Sequence, residues 1–333
     1  MGSSNKDIYR GGCISGFDKL CQADMMPSVN KNIFVNSSYG IPSDLNKTDR
    51  SDTTTHLPNE LFKLDPSDPL CFAVGSYVDG ANITTINNLG SVGTSDTNTN
   101  VFPLLQFPKV YRTASNRYDV ITAPMLSFNT NIVDATTFAF GVAGNWSFLA
   151  ARNQGYSIYY VLSFRQNLQL TSPVVTPTAN DMSIFRTLPN SNVAGIGCLL
   201  STSNNSVFAN LQISAGGGLL SISSSCRIIQ NYRNLQNPIV VSVLCTNEQR
   251  TGDIGYWYVN GVKTANIEYN NNPFPVAGGA NSPLQLFKRS STTGNQLFNV
   301  IGSLGDIRIF NTRHDESTHK DIVDMLMKKY KII

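Results

Sequence analysis

Glutamate is scarce in this chain: 333 residues include four, Glu60, Glu248, Glu268 and Glu316. Charged residues of all kinds reach only 14%, against about 25% in an average soluble protein. Histidine occurs three times, at His56, His314 and His319, and tryptophan twice, at Trp146 and Trp257. Each shortage removes a class of chemistry. Glycoside hydrolysis needs paired carboxylates, and a strand supplies them at alternate positions, which share a face. None of the four glutamates has an acidic residue two or four positions away. His314 and His319 are five apart, so no metal pair at helical i, i+4 spacing forms; both read as solvated side chains near a helix start. The six cysteines (Cys13, Cys21, Cys71, Cys198, Cys226 and Cys245) contain no C-x-x-C pair, which argues against zinc and for free thiols. G-x-S-x-G, Walker A and dinucleotide fingerprints are missing.

Long apolar runs are also lacking. No stretch approaches the roughly 18 residues of a spanning helix, and Met1 to Lys6 lacks the apolar core of a secretory signal. Lys and Arg number 25 against 22 Asp and Glu, a net charge of +3. Only Lys328, Lys329 and Lys331 cluster, so a nucleic-acid partner is not expected.

What is present is β-sheet. Residues 1–69 hold few apolar runs and many turn formers, and read as an extended anchoring or assembly arm, with a strand or two completing a sandwich as the alternative. From Leu70 onward apolar runs follow one another: Leu70–Val78, Tyr118–Thr122, Met125–Phe128, Thr136–Val142, Tyr156–Phe164, Val193–Leu200, Val207–Ile213 and Leu219–Ile222. Ile239–Cys245 is apolar on both faces and is expected to be central. Asn260-Gly261 predicts a hairpin, because both residues tolerate positive φ. Gly216-Gly217-Gly218 reads as a tight turn. Leu284–Phe287 and Gly305–Phe310 are the last strands. Ile322, Val323, Met325, Leu326 and Tyr330 then recur on one helical face. Many short strands with turns between them mean a sandwich or barrel.

The C-terminal succession is specific. A buried strand leads to Tyr258-Val-Asn-Gly-Val262, then Pro283-Leu-Gln-Leu286, then Ile301-Gly-Ser-Leu-Gly-Asp-Ile-Arg-Ile-Phe-Asn311 and a short helix. With Tyr77-Val-Asp-Gly-Ala-Asn-Ile-Thr-Thr85 upstream, residues 70–333 resemble the concanavalin A-like lectin/glucanase superfamily in its laminin G-like branch, as found in phage and virus particle proteins. His314, Ser317 and Thr318 depart from that branch at packing and capping positions. The resemblance implies an all-β antiparallel sandwich (jelly roll) with an N-terminal arm and a C-terminal helix. Glucanases of the superfamily carry an E-x-D-x-E strand, and this chain has none, so no enzyme is expected.

The resulting expectation is a non-enzymatic decoration protein of a virion, held to other particle proteins through residues 1–69 and binding host-surface glycans. A free-standing carbohydrate-binding lectin, extracellular or at the cell surface by a non-classical route, is the alternative. An atypical glycoside hydrolase is a poorer second. A homo-oligomer or multi-protein assembly is expected, with no membrane span. Sugar sites pair an aromatic face with polar groups, so the candidates are Trp146, Tyr156, Tyr256, Trp257 and Asn271. Strand parity places Trp257 opposite Tyr256, one set in the core and the other outside, with no sign of which. No cofactor is expected; Ca2+ has no motif beyond Asp79 near Asn82, where a turn role is preferred.

Overall fold

Period-two alternation builds most of the molecule. The computed structural model describes residues 57–92, 96–97, 104–107, 110–112, 118–120, 123–128, 140–144, 146–164, 182–187, 194–203, 206–229, 238–275, 283–287 and 302–332. The strands among them are β1 (Glu60–Leu64), β2 (Thr85–Ile86), β3 (Asp96–Thr97), β4 (Leu104–Gln106), β5 (Val110–Arg112), β6 (Tyr118–Val120), β7 (Met125–Phe128), β8 (Phe140–Val142) and β9 (Gly155–Phe164). They continue with β10 (Met182–Arg186), β11 (Ala194–Ser203), β12 (Ser206–Gly216), β13 (Leu219–Ile229), β14 (Ile239–Thr246), β15 (Asp253–Val259), β16 (Val262–Glu268), β17 (Leu284–Leu286) and β18 (Gly302–Phe310). One α-helix, α1 (Glu316–Lys329), follows.

Two antiparallel sheets form the sandwich. The larger runs β16-β15-β14-β9-β18-β7-β4, with β1 also paired to β18. The smaller runs β13-β12-β11-β10-β17-β8. Their facing sides form one core. Tyr156, Ile158, Tyr160, Val241, Val243, Cys245 and Trp257 come from the first sheet, and Ile196, Cys198, Leu211, Ile213, Phe140 and Leu286 from the second. Burial pushes the Cys198 and Cys245 thiols up to about 12, and both are free, as are Cys71 and Cys226.

The predicted turns are found where expected. Asn260 and Gly261 have φ of 48° and 77° and join β15 to β16. Gly217-Gly218 turns β12 into β13, and Gly216, Gly217 and Gly218 all have positive φ. Strand β14 is buried on both faces, and its outer Ser242 meets His319 of α1 at 2.9 Å. The helix explains why that strand is apolar twice over. Asp315 caps α1 by accepting from the Thr318 N–H at 2.8 Å. Ile322, Val323, Leu326 and Tyr330 are buried, whereas Met325 is left 39% exposed.

Three expectations need correction. Residues 60–64, within the expected arm, form β1, pairing Phe62 with Ile309 and Leu64 with Ile307, which is the alternative of a strand completing the sandwich. The sandwich therefore begins before residue 70, and residues 1–56 lie outside the described residues. The run from Leu70 is a 3-10 turn (Pro69–Cys71) and successive turns rather than a strand; Gly75 and Gly80 take positive φ and break the extended chain. His319 is buried and His314 half-buried, neither standing free in solvent. The His319 ring lies 4.2 Å from Tyr258 and 5.8 Å from Tyr159, centroid to centroid, and the residue is 4% exposed. His314 Nδ1 meets the Tyr159 hydroxyl at 2.9 Å.

A buried ionic clamp fastens the helix to the sheet. Asp306 Oδ2 accepts from Arg308 Nε at 3.1 Å and Nη2 at 3.0 Å. Its Oδ1 accepts from Lys329 Nζ at 2.6 Å and the Tyr330 hydroxyl at 2.8 Å. Arg308 Nη1 also reaches Glu60 Oε1 at 3.1 Å, and Lys329 pairs with Asp65. The Gly-Asp-Ile-Arg-Ile stretch is thus an architectural device. A Cβ on Gly305 would stand 2.5 Å from the Tyr330 oxygen, so glycine is what lets that hydroxyl dock at the β18 bulge.

Burial pushes the His314 pKa from 6.5 down to about 4, and burial also lowers that of His319. Asp315 and Glu316 offset part of this, and cation–π attraction to Tyr159 and Tyr258 opposes it. Above pH 6.5 both the folded and unfolded chains carry neutral rings. Between 6.5 and 4 the unfolded chain takes up protons that the folded His314 excludes, so stability falls as pH falls. The urea midpoint is expected to drop from pH 7.5 to pH 5, and by less in a His314→Gln/His319→Gln double variant. An equal drop in both proteins would refute this.

Candidate functional site: the outer face of the smaller sheet

Strands β12 and β13 send alternate residues outward. On β12, Val207, Ala209, Leu211 and Ile213 are buried, while Phe208, Asn210 and Gln212 are half-buried. On β13, Ile222, Cys226 and Ile228 are buried, while Ser223, Ser225 and Arg227 are exposed. Register aligns Phe208 with Arg227, Asn210 with Ser225 and Gln212 with Ser223. Three rows result, spaced about 7 Å along the strands and about 5 Å across them. They continue on β11 as Ser201, Leu199 and Gly197. The last row runs on through Arg186, Gln285 and Gly141, where the face becomes buried.

This strip is suited to a polyhydroxylated ligand. Each amide presents both donors and an acceptor, and each serine hydroxyl can act either way. Asn210 is held in place by donating from Nδ2 to Ser201 Oγ at 2.8 Å. Phe208 supplies the apolar ring against which sugar C–H groups pack. None of these residues was singled out from the sequence, although the alternation from Val207 to Ile228 contained the signal.

The sequence candidates fare differently. Trp146, Tyr156 and Trp257 are each 0% exposed, so no sugar can stack on them. Trp146 packs edge-on to Phe62 with centroids 6.2 Å apart, and its Nε1 donates to Ala143 O at 3.3 Å. Trp257 Nε1 donates to Ser224 Oγ at 2.9 Å, tying the two sheets. Tyr256 does face outward, but on the larger sheet, and Lys263 Nζ lies 3.5 Å from its ring centre. Asn271 is exposed in a turn at φ 61°, whose neighbour Asn272 donates to Leu220 O at 2.8 Å. The five candidates are therefore not one site. Asp79 holds a turn, accepting from the Phe107 N–H at 3.0 Å, and no cluster of metal-ligating side chains occurs among the described residues.

One acid pair escaped the sequence reading. Asp253 and Glu268 are direct cross-strand partners on β15 and β16. Counting outward from the Asn260-Gly261 turn leads to this pairing, so it was legible. The pair sits at the strand ends, Asp253 half-buried and Glu268 exposed. Of the other glutamates, Glu60 is locked in the clamp, Glu248 pairs with Arg250 at 3.0 Å, and Glu316 opens α1.

No protein-family model matches the chain. No curated protein matches it. Solved structures with a similar course include the receptor-binding domain of a botulinum neurotoxin C/D mosaic serotype, at 10% identity and TM-score 0.44, covering 81% of this chain and 52% of that one. The binding domain of Paraclostridial Mosquitocidal Protein 1 follows at 11% identity and TM-score 0.46, with 81% and 52% covered. Trypanosoma rangeli sialidase, in complex with 2,3-difluorosialic acid, matches at 11% identity and TM-score 0.42, covering 80% of this chain and 33% of that one. The chain thus spans about half the length of the two toxin domains. At these scores the likenesses carry no inference about what this chain binds.

Proposed function

We propose that the sandwich is a non-enzymatic, lectin-like domain that binds glycans across the outer face of β12 and β13. The observation that supports this is the ordered strip of Phe208, Asn210, Gln212, Ser223, Ser225 and Arg227, an aromatic set among hydrogen-bonding groups. The low charge of the whole chain, 14%, suits display on a particle, and the same proposal places the protein on a virion with the N-terminal arm as its anchor. The resemblance to the laminin G-like branch belongs to this proposal too.

A glycan array probed with the full chain tests it. Binding to at least one oligosaccharide class is expected, falling more than tenfold in a Phe208→Ala/Asn210→Ala variant that unfolds at the wild-type urea midpoint within error. Tyr256→Ala is expected to leave binding unchanged. Absence of any binding, or loss through Tyr256 instead of Phe208 and Asn210, would refute the assignment of the site.

A further inference from the structure

The smaller sheet has an uneven charge. Its strands read FGV, MSIFR, AGIGCLLSTS, SVFANLQISAG, LLSISSSCRII and LQL. They contain no aspartate or glutamate, and their only cations are Arg186 and Arg227. Both point outward, as their register with Gly197 and Phe208 shows. Glu60, Asp306, Asp253 and Glu268 are all on the larger sheet. Arg186 is buried at 6% exposure, whereas Arg227 is exposed at the open end of the strip, directly across from Phe208.

From this we infer that the ligand of the strip is an acidic glycan, one whose carboxylate or sulfate groups are met by Arg227. The inference rests on the glycan-binding reading and deepens it. A guanidinium fork matches an anionic oxygen pair with two parallel N–H donors and adds geometric selectivity to charge. Phe208, one strand away, receives the apolar side of the same sugar, and Asn210 and Ser225 in the next row meet the hydroxyls. With no carboxylate on the strands of this sheet, no fixed negative charge of the strip repels such a ligand. A neutral sugar would gain only ordinary hydrogen bonds from Arg227, without the charge-assisted bidentate pair.

Three oligosaccharides of equal length decide the matter by calorimetry with the full chain: a β-glucan, its glucuronate counterpart and its sulfate ester. At least one acidic form is expected to bind tenfold or more tightly than the neutral one, and which of them does so identifies the anion. Raising salt from 50 to 500 mM should erode that preference, because an exposed charge is screened. Arg227→Gln should abolish that preference, bringing the acidic forms down to the neutral sugar's affinity in the same variant, and Arg227→Lys should restore only part. Arg227 is exposed, so these variants are expected to fold. If the neutral glucan binds as tightly as the acidic forms and loses affinity in Phe208→Ala, the site stands and the inference fails. An acidic preference that survives Arg227→Gln also overturns it. If none of the three binds, the inference falls, and the glycan array alone decides whether the glycan-binding reading falls with it.

Discussion

Replacing Arg308 by alanine is expected to lower the unfolding free energy by about 3–5 kcal/mol, the usual effect of removing one partner from a buried ion pair. Arg308 is 6% exposed and pairs with both Glu60 and Asp306. Without it, Lys329 still serves Asp306, while Glu60 keeps the Leu57 N–H, at 2.7 Å, but no side-chain cation bonded to it among the described residues. Burial already raises the Glu60 pKa despite Arg308, and loss of the cation must raise it further. A carboxyl whose folded pKa lies above its unfolded value destabilises the fold at high pH, and the penalty is relieved as pH falls through the folded pKa. The difference between wild type and Arg308→Ala should therefore be larger at pH 8 than at pH 5. Urea unfolding at the two values measures it. A loss below about 1 kcal/mol, within the range of exposed pairs, would mean that the clamp does not hold the helix and β1 together. Arg308→Met should cost less than alanine because it refills the volume, yet it leaves the same two carboxylates short of a donor.

That clamp also marks the boundary of what sequence can disclose. Glu60 and Arg308 are separated by 248 residues, and no local pattern links them. The strand around Glu60 looked like arm because Glu-Leu-Phe-Lys-Leu is short and flanked by turn formers; only the partner strand β18 makes it part of the sheet. His314 and His319 were misread for a related reason. A histidine near a helix start is usually solvated, and here Tyr159 and Tyr258, from strands distant in sequence, close over the pair together with the nearby Phe310. By contrast, Asn260-Gly261, Gly216-Gly217-Gly218 and the capped helix were legible, since each is dictated by local backbone chemistry.

The candidate site shows the same division. Aromatic residues attracted attention because stacking needs a ring, but large rings are also what a sandwich core needs most. In Tyr256-Trp-Tyr-Val259 both parities are bulky, and sequence alone gives no means of choosing the inner one. Between Val207 and Ile228 the parities differ in polarity, so the outward set could have been named. The register that aligns Phe208 with Arg227 also follows by counting out from the Gly217-Gly218 turn, because the two irregularities around Ser214 cancel and the bulge between Val207 and Phe208 lies beyond that pair.

Trp257→Ala should produce the second large effect, a loss of about 3–5 kcal/mol as expected for a buried aromatic. The indole is 0% exposed and spans the interior from β15 to Ser224 on β13. Removing it leaves a cavity between the sheets and a serine hydroxyl without its donor. Trp257→Phe separates these contributions: the ring refills most of the volume, and the residual deficit of about 1 kcal/mol is that of the lost hydrogen bond. Ligand affinity discriminates further. If Trp257 acts only through the core, both variants bind glycans with wild-type affinity per folded molecule, measured well below their urea midpoints. A variant that keeps wild-type stability but loses binding would place Trp257 at the ligand instead, and would require the β15 strand to present its other face to solvent.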